Sequence, residues 1–593
     1  MTDTYQLVVR GGTVVDGSGG APYEADVGVS NGVIVALGDV EGTAEQEVDA
    51  TGLYVTPGFV DVHTHYDGQI TWESRMMPSS NHGVTTVVMG NCGVGFAPCR
   101  KGDEDLMIRL MEGVEDIPEV VMAAGVPFNW TSFPDYLDRL EAREGDVDFA
   151  AQIPHSPLRV FVMGERGADL EPPTDADLAE MRRLVAEAVR AGALGVSTSR
   201  NLFHRFRSGK LAPSVTSELR ELQALAAGLR DAGEGVFQMI PDIDGDPRTE
   251  IALFRAIAAE SGRPLNFSLV NMPAKPENWH AYVAFLRDSR RQGLTFNGQF
   301  MPRSMGVQFG LDLSFHPFSL NPSYRPLADL PLEEKVAIMR DPAFRARLLS
   351  ERPDDPNPAF VNLVTSPLHL YRMGDPADYD FPSEDSLQAE AARTGRDLHE
   401  VIYDALLEDD GRAIICAYGS KAEETLEKTA ELIGEEAMIV ALGDGGAHYS
   451  MICDAAYPTY LLANRLGKQG LDISRIIKSL TSQPAESVGL LDRGRIAAGY
   501  KADLNVIDPQ GIVLHRPEIE RTLPAGGKRL AQRSQGYVAT VVSGVVTYRD
   551  GRSTGALPGR LVRGARRPGA IRETVSALQH CGLASKKWRV PLR

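Results

Sequence analysis

The residues best placed to do chemistry are two histidines set two positions apart at the end of an apolar run, Gly58-Phe-Val-Asp-Val-His-Thr-His-Tyr-Asp67. Side chains at i and i+2 of a strand share a face, so His63 and His65 can turn both imidazoles toward one metal ion. Pro57 and Gly58 punctuate the approach to that strand. An H-x-H pair alone is weak evidence, because polar residues are ordinary at strand ends. Two further segments add weight. Gly83-Val-Thr-Thr-Val-Val-Met-Gly-Asn-Cys-Gly93 empties a β-branched run into a glycine-framed turn bearing Cys92, and Ala437-Met-Ile-Val-Ala-Leu-Gly-Asp-Gly-Gly-Ala-His448 delivers Asp444 into a glycine-rich loop. Taken singly, the cysteine could simply pack and the aspartate could simply form a turn. Three ligand-type segments at the ends of apolar strands are harder to dismiss.

The elements around these segments alternate strand-like runs with amphipathic helices, the pattern of repeated βαβ units. Candidate strands end near His63, Met89, Pro154, Ser197, Ile240, Val270, Phe300 and Leu442, and eight is the number of strands in a (β/α)8 barrel. The clearest helix spans Thr174 to Gly192: Thr174 and Asp177 form a capping pair and Leu178, Met181, Val185, Ala188 and Val189 an apolar stripe. Further helices are predicted near Ser217 to Ala232, Arg248 to Ser261, Glu277 to Arg291, Tyr457 to Leu466 and Ser474 to Thr481. More than a hundred residues separate the seventh and eighth strands, too many for a βα loop. An inserted subdomain at about 303–411 is therefore expected to roof the C-terminal face of the barrel. Short β-rich runs with glycine turns at both ends of the chain, 1–56 and 488–550, predict one discontinuous β-sandwich domain flanking a barrel over 57–487. The expected fold is thus α/β, a TIM barrel with that small sandwich and the insertion.

Composition narrows the function. The 593 residues are 43% hydrophobic and 24% charged, as in a soluble globular protein, and the formal charge of -19 argues against nucleic-acid or anionic-membrane partners. The first residues lack a secretory signal pattern and no apolar run is long enough to span a bilayer, so a cytoplasmic location is expected. Cys92, Cys99, Cys416, Cys453 and Cys581 are odd in number and lack C-x-x-C spacing, which excludes a disulfide framework and a zinc knuckle. The stretch 551–593 is basic, with Arg552, Arg560, Arg563, Arg566, Arg567, Arg572, Lys586, Lys587, Arg589 and Arg593 against Glu573 alone. It reads as an arm folded over the acidic body or over a neighbouring subunit of a homo-oligomer.

Several motifs together resemble the amidohydrolase superfamily and, within it, the N-acyl-D-amino-acid deacylase (D-aminoacylase) group. They are the segments around His63, His65 and Cys92, with Pro154-His-Ser-Pro-Leu-Arg159, Gly192-Ala-Leu-Gly-Val-Ser-Thr198, Thr481-Ser-Gln-Pro-Ala-Glu486 and the run from Asp492 to Asp508. The resemblance implies that His63, His65, Cys92 and Asp444 surround a metal. It also implies a histidine at the ends of the fifth and sixth strands and a carboxylate-binding lysine beyond the sixth. This sequence departs from all three, with Gly235-Val-Phe-Gln-Met-Ile-Pro-Asp242 and Pro264-Leu-Asn-Phe-Ser-Leu-Val-Asn-Met272 in those places. Two imidazoles, a thiolate and a carboxylate suit zinc, so one Zn2+ per chain is expected and a second would lack ligands. Zinc would activate water, and Asp444, the loosest ligand, would accept its proton and return it to the leaving nitrogen.

Around this set, Arg200, His204 and Arg205 after the fourth strand, Gln238 in the fifth, Arg303 beyond the seventh and His448 after Asp444 are candidate substrate contacts. His155 and Arg159 are candidates for a supporting layer behind the metal. Asp242, Asp244 and Asp246 read as a helix-capping turn rather than a calcium loop, and His82 as part of a turn before the second strand. The reading is a zinc-dependent hydrolase of a C–N amide bond in an N-acyl (D-)amino acid or related small amide. A cyclic-amide or imide hydrolase or deaminase on the same scaffold, and a catalytically silent small-molecule-binding homologue, are the alternatives.

Overall fold

The computed structural model describes residues 4–569 apart from 273 and 367. Nine parallel strands carry the site. Val84–Met89 pairs with Phe59–Asp61 on one side and Asp148–Ala151 on the other. Ile153–Pro154, Gly195–Ser199, Val236–Ile240, Leu265–Ser268, Phe296–Phe300 and Met438–Val440 follow in order as a second run. The sequence pattern predicts one closed ring of eight. The ladders instead form runs of three and six strands, parting at Gln152 between Asp148–Ala151 and Ile153–Pro154, although the Leu194 N–H donates to the Ala151 carbonyl at 2.8 Å across that point. An isolated parallel bridge, Thr64 to Gly445, joins the first strand's extension to the last.

Each parallel strand is buried, and one packed cluster holds Val60, Val62, Val88, Ala150, Leu194, Val236, Ile439 and Ala441. These residues lie a step back along the strands from the polar tips, so the site stands on an apolar plug. Helices cover the outside. Thr174 caps Asp175–Arg190 with the reciprocal bonds to Asp177 expected from sequence, and Asp246 caps Pro247–Ser261 by accepting from the Arg248 N–H. Phe254 stacks on Phe267 at 4.6 Å and Phe285 lies 4.9 Å from Phe296, fixing helices to strands. Burying each such ring stabilises by roughly 1.5–3 kcal/mol. The helix expected from Tyr457 to Leu466 is one α turn, Tyr457–Tyr460, continued by a π turn over Leu461–Arg465.

The insertion has its own core, including Phe309, Leu311, Phe318, Leu348, Tyr403 and Leu406. Its three-stranded sheet places Ile415–Tyr418 between Gly306–Phe309 and His369–Arg372, all antiparallel. That central strand carries the insertion past the expected limit of 411, because both outer strands depend on it for pairing. At the chain ends, strands from residues 4–57, Leu504–Ile507 and 537–553 are hydrogen-bonded into one nine-stranded sheet, while Val513–Glu520 and Arg529–Gln535 form a separate pair. Thr4–Val14 pairs with Tyr23–Ser30 on one edge; on the other it passes from Thr43–Asp49 to Tyr54–Pro57, with a bulge between Val9 and Gly12.

Within the C-terminal arm, Arg560 meets Glu144 at 2.9 Å, and Arg563 meets Asp138 and Glu141 at 2.7 and 2.6 Å, so this part lies on the acidic body as charge predicts. Arg572, Lys586, Lys587, Arg589 and Arg593 lie outside the described residues. Among the described residues, no helix is long and apolar enough to cross a membrane.

Candidate metal centre

His63 and His65 follow the strand Phe59–Asp61 and are almost completely buried. The His63 N–H donates to Asp61 at 3.2 Å and the His65 N–H to the Gly445 carbonyl at 2.7 Å, so the backbone of the pair is held on two sides. Cys92 sits in the turn after Val84–Met89 with φ 56°, a left-handed conformation that costs a non-glycine residue energy. The turn is locked from below. Asn91 donates to the carbonyls of Thr64 and Val88 at 3.1 and 2.9 Å, Ser197 Oγ binds the Gly90 carbonyl, and the Gly93 N–H donates to the same Oγ at 3.1 Å. Gly90 has no alternative in this turn: its φ is 79° and a Cβ there would lie 2.2 Å from the Gln152 carbonyl oxygen.

These elements bring one ligand atom each from His63, His65 and Cys92 within 4.8 Å of one another. His63 Nε2 lies 3.3 Å and His65 Nε2 3.7 Å from Cys92 Sγ. Asp444 Oδ1 stands 3.5 Å from His63 Nε2 and 3.6 Å from His65 Nε2, so it faces the histidine pair. Leu442, Asp444 and His448 have φ of 65°, 46° and 50°, so left-handed residues gather in this loop as they do at Cys92. Such strain clusters at functional sites when the surroundings over-determine it.

The donor set fits a divalent transition metal on several counts. The Nδ1–H of His63 is engaged by Gln299 Oε1 at 2.8 Å, which leaves Nε2 free to ligate. Asp444 Oδ1 is buried without a hydrogen-bond partner. Burial, together with Glu115, Asp444 and Asp67, pushes the Cys92 thiol well above its usual range. Burial also pushes Asp61 up to about 7 and Asp67 up to about 6. Burial would likewise raise Asp444, but the neighbouring imidazoles of His65, His63 and His448 hold it well below the carboxylate range. A pocket this rich in buried acids is one a cation would relieve.

Glu115 is a member of this site that the sequence reading missed. It ends the helix Glu104–Glu115, and its carboxylate lies 3.5 Å from His65 Nδ1 by one oxygen and 3.5 Å from His448 Nε2 by the other. The signal was an acid in line with Met107 and Met111 on the buried stripe, at the four-residue spacing of a helix face. Gln299 was missed too; it is the polar inward residue of a strand whose neighbours Gly298 and Phe300 are buried.

The other expected contacts divide. His204 is drawn to the cluster: burial, then the nearby charges of His65 and His448, lowers its pKa to about 3. Gln238 is fully buried, and neither amide atom has a hydrogen-bond partner among the described residues. Arg303 is buried against Asp454 at 2.6 Å and stacks on Tyr379 at 3.7 Å, with Nε and Nη1 unpartnered. Arg200 and Arg205 turn elsewhere. Arg200 pairs with Glu250 at 3.1 Å and donates to the Ser217 carbonyl at 2.6 Å; Arg205 donates to the Leu202 and Gly209 carbonyls of its own loop. A loop carbonyl satisfies a guanidinium as well as a substrate does, and spacing alone does not separate the two. His155 and Arg159 are structural, meeting Glu221 at 3.0 and 2.9 Å, with His155 also bound to Thr198 at 2.8 Å. His82 lies in the turn Ser79–His82, bonded to Thr459.

Comparison with known proteins agrees with this geometry. The model of a family described as "Amidohydrolase family" matches residues 46–548. An uncharacterised protein of Mycobacterium tuberculosis is 30% identical over 597 aligned positions, 93% of either chain. The D-aminoacylase of Alcaligenes xylosoxydans xylosoxydans is 35% identical over 239 positions, covering 39% of this chain and 46% of that one. Among solved structures, the N-acyl-D-glutamate deacylase of Bordetella bronchiseptica, complexed with zinc and a phosphonate inhibitor, superposes with a TM-score of 0.61 at 20% identity over 95% of this chain and all of the other.

Proposed function

The chain belongs to the amidohydrolase family and is a metal-dependent hydrolase, and we propose that it cleaves the C–N amide bond of an N-acyl amino acid or closely related small amide with one zinc ion. The observation that carries this reading is the convergence of His63, His65 and Cys92 within 4.8 Å, faced by Asp444. His63, His65 and Cys92 would hold the ion with Asp444 as the loosest partner. Bound there, zinc supplies the Lewis acidity that activates water and polarises a carbonyl.

The chain's own residues do the rest. Asp444, kept ionised by the two imidazoles, accepts the proton of the attacking water at Oδ1 and returns it to the leaving nitrogen. Gln238, in register with Ser197 and Asn266 on the flanking strands, offers an amide with no protein partner to the substrate carbonyl. In those two strands, where the deacylase resemblance leads one to expect histidines, the polar side chains are the amides of Gln238 and Asn266 and the hydroxyl of Ser268, which supports one ion rather than two.

Two cavities frame the substrate. One of about 310 Å3, lined by Phe203, Phe315, Phe360, Leu363, Met451 and His448, receives an apolar acyl or side-chain group. Arg303 lines a second, small cavity with Asn271, Ser420 and Thr425, and its Nε and Nη1, unpartnered among the described residues, are donors for an anionic group.

The test is metal analysis of zinc-loaded protein beside a screen of N-acyl D- and L-amino acids that follows carboxylate and amine release. One zinc per chain with release of a free amino acid is expected. A chain that takes up no zinc and cleaves nothing in the panel would remove the hydrolytic reading, and ammonia release from cyclic amides would redirect it to the related chemistry.

A further inference from the structure

Glu115 is 2% exposed, and among the described residues the only cationic groups within 4.0 Å of its carboxylate are His65 and His448. No arginine or lysine is among them. The charge sits at the C-terminal end of its helix, where the dipole disfavours an anion, and it is buried away from water. Neither Glu115 Oε1 nor His65 Nδ1 has a hydrogen-bond partner among the described residues. The backbone is fixed as well: the His448 N–H donates to the Glu115 carbonyl at 2.5 Å, and Asp116 ends the helix in the left-handed region. A buried carboxylate in this position destabilises the metal-free protein, so its presence calls for a use.

We propose that Glu115 is a positioning residue that orients a metal ligand and a pocket histidine at once. Resting on the metal-dependent reading above, the assignment follows from the two ring nitrogens it faces. Facing His65 Nδ1 at 3.5 Å, the Glu115 carboxylate favours the tautomer with the proton on Nδ1, keeps Nε2 directed at Cys92 and Asp444, and makes the ring a better donor to the ion. By taking the Nε2–H of His448, it leaves His448 Nδ1, which is buried and unpartnered, as an acceptor at the wall of the 310 Å3 cavity. One carboxylate thereby ties the geometry of the metal to the geometry of the substrate pocket. Gln299 does the same for His63 with a neutral amide, so the two ligating histidines are oriented by partners of different charge.

The experiment measures zinc affinity of the full chain by competition with a chelator, for the wild type, Glu115→Gln and Glu115→Ala, together with the melting temperature of each metal-free protein. Zinc affinity is expected to fall about 10-fold or more in both variants, the usual range for a lost outer partner. The metal-free Glu115→Gln protein is expected to melt no lower than the wild type. These signs separate positioning from mere packing, which would lower the metal-free melting temperature and leave zinc affinity alone. Unchanged affinity in both variants, with tight binding by the wild type, overturns the role of Glu115 while leaving the hydrolase reading intact. Absence of zinc binding by the wild type overturns that reading, and this inference falls with it.

Discussion

Two glutamates, Glu115 and Glu221, are each 2% exposed, each on a helix and each facing a histidine, yet the molecule treats them differently. Glu221 is enclosed by protein: His155 Nε2 at 3.0 Å and Arg159 Nε at 2.9 Å. Burial works to raise its pKa, but the hydrogen bond and charge of His155 and the charge of Arg159 outweigh it and leave the group lowered. Among the described residues Glu115 has only two histidines, each at 3.5 Å, and burial raises it to about 7. A buried acid closed off by an arginine is architecture. One left with open imidazoles, beside a thiol and a second acid, belongs to a site that awaits a cation.

The largest effect should come from the open cluster. Replacing Asp444 by Asn keeps the shape and removes the proton acceptor, so kcat should fall by up to about 10^4-fold, the upper range for general acid–base catalysis. Melting of the variant should stay near the wild type, since Asn keeps the shape and Asp444 faces His63 and His65 only at 3.5 and 3.6 Å. Steady-state kinetics beside a melting curve check this, and retained turnover would mean the acid–base role lies elsewhere.

In the closed cluster the consequence is stability instead. Glu221→Ala strands Arg159 and His155 in the interior and should cost about 3–5 kcal/mol of unfolding free energy. Zinc affinity should be unaltered. Urea denaturation with a zinc titration checks both halves; a variant as stable as the wild type would erase the distinction between the two regions.

Much of this contrast was legible in sequence, though unevenly. His63, His65, Cys92 and Asp444 announced themselves because each ends an apolar strand run beside glycines, and strand ends are where a parallel α/β sheet presents side chains. The helix Asp175–Arg190 was readable from its capping pair. What sequence could not show was pairing across long separations. Glu115 meets His448 from 333 residues away, on a helix whose stripe reads as ordinary core. Arg200 looked free until Glu250 turned out to lie beside it. The parting of the parallel strands at Gln152 was equally invisible, since it leaves no mark in the pattern of apolar residues.

Removing metal should widen the contrast. The open cluster is stable as a set of ionised groups only with a cation, so chelation should lower the melting temperature, by an amount equivalent to about 2.7 kcal/mol where free zinc stood at a hundred times its Kd. In Glu115→Gln the same treatment should shift melting less, because that variant binds zinc more weakly and holds one buried acid fewer. Calorimetry with and without chelator reads the difference. Equal shifts in both proteins would place Glu115 outside the linkage.

The smallest expected effect is on acid stability, and it tests the closed cluster alone. The folded pKa of Glu221 lies below its ordinary value of 4.5. A depressed carboxylate adds stability that is present in full above its unfolded pKa and is lost as pH falls through the folded one. The wild type should therefore exceed Glu221→Gln in stability by a constant margin from neutral pH down to about 5, the gap then closing as pH drops below 4.5. Unfolding by urea at several pH values, on metal-free samples of both so that the open cluster contributes equally, measures that gap. If it failed to narrow in acid, the His155–Glu221–Arg159 contact would owe its strength to packing rather than to charge, and the reason for treating the two glutamates as different kinds of buried acid would be gone.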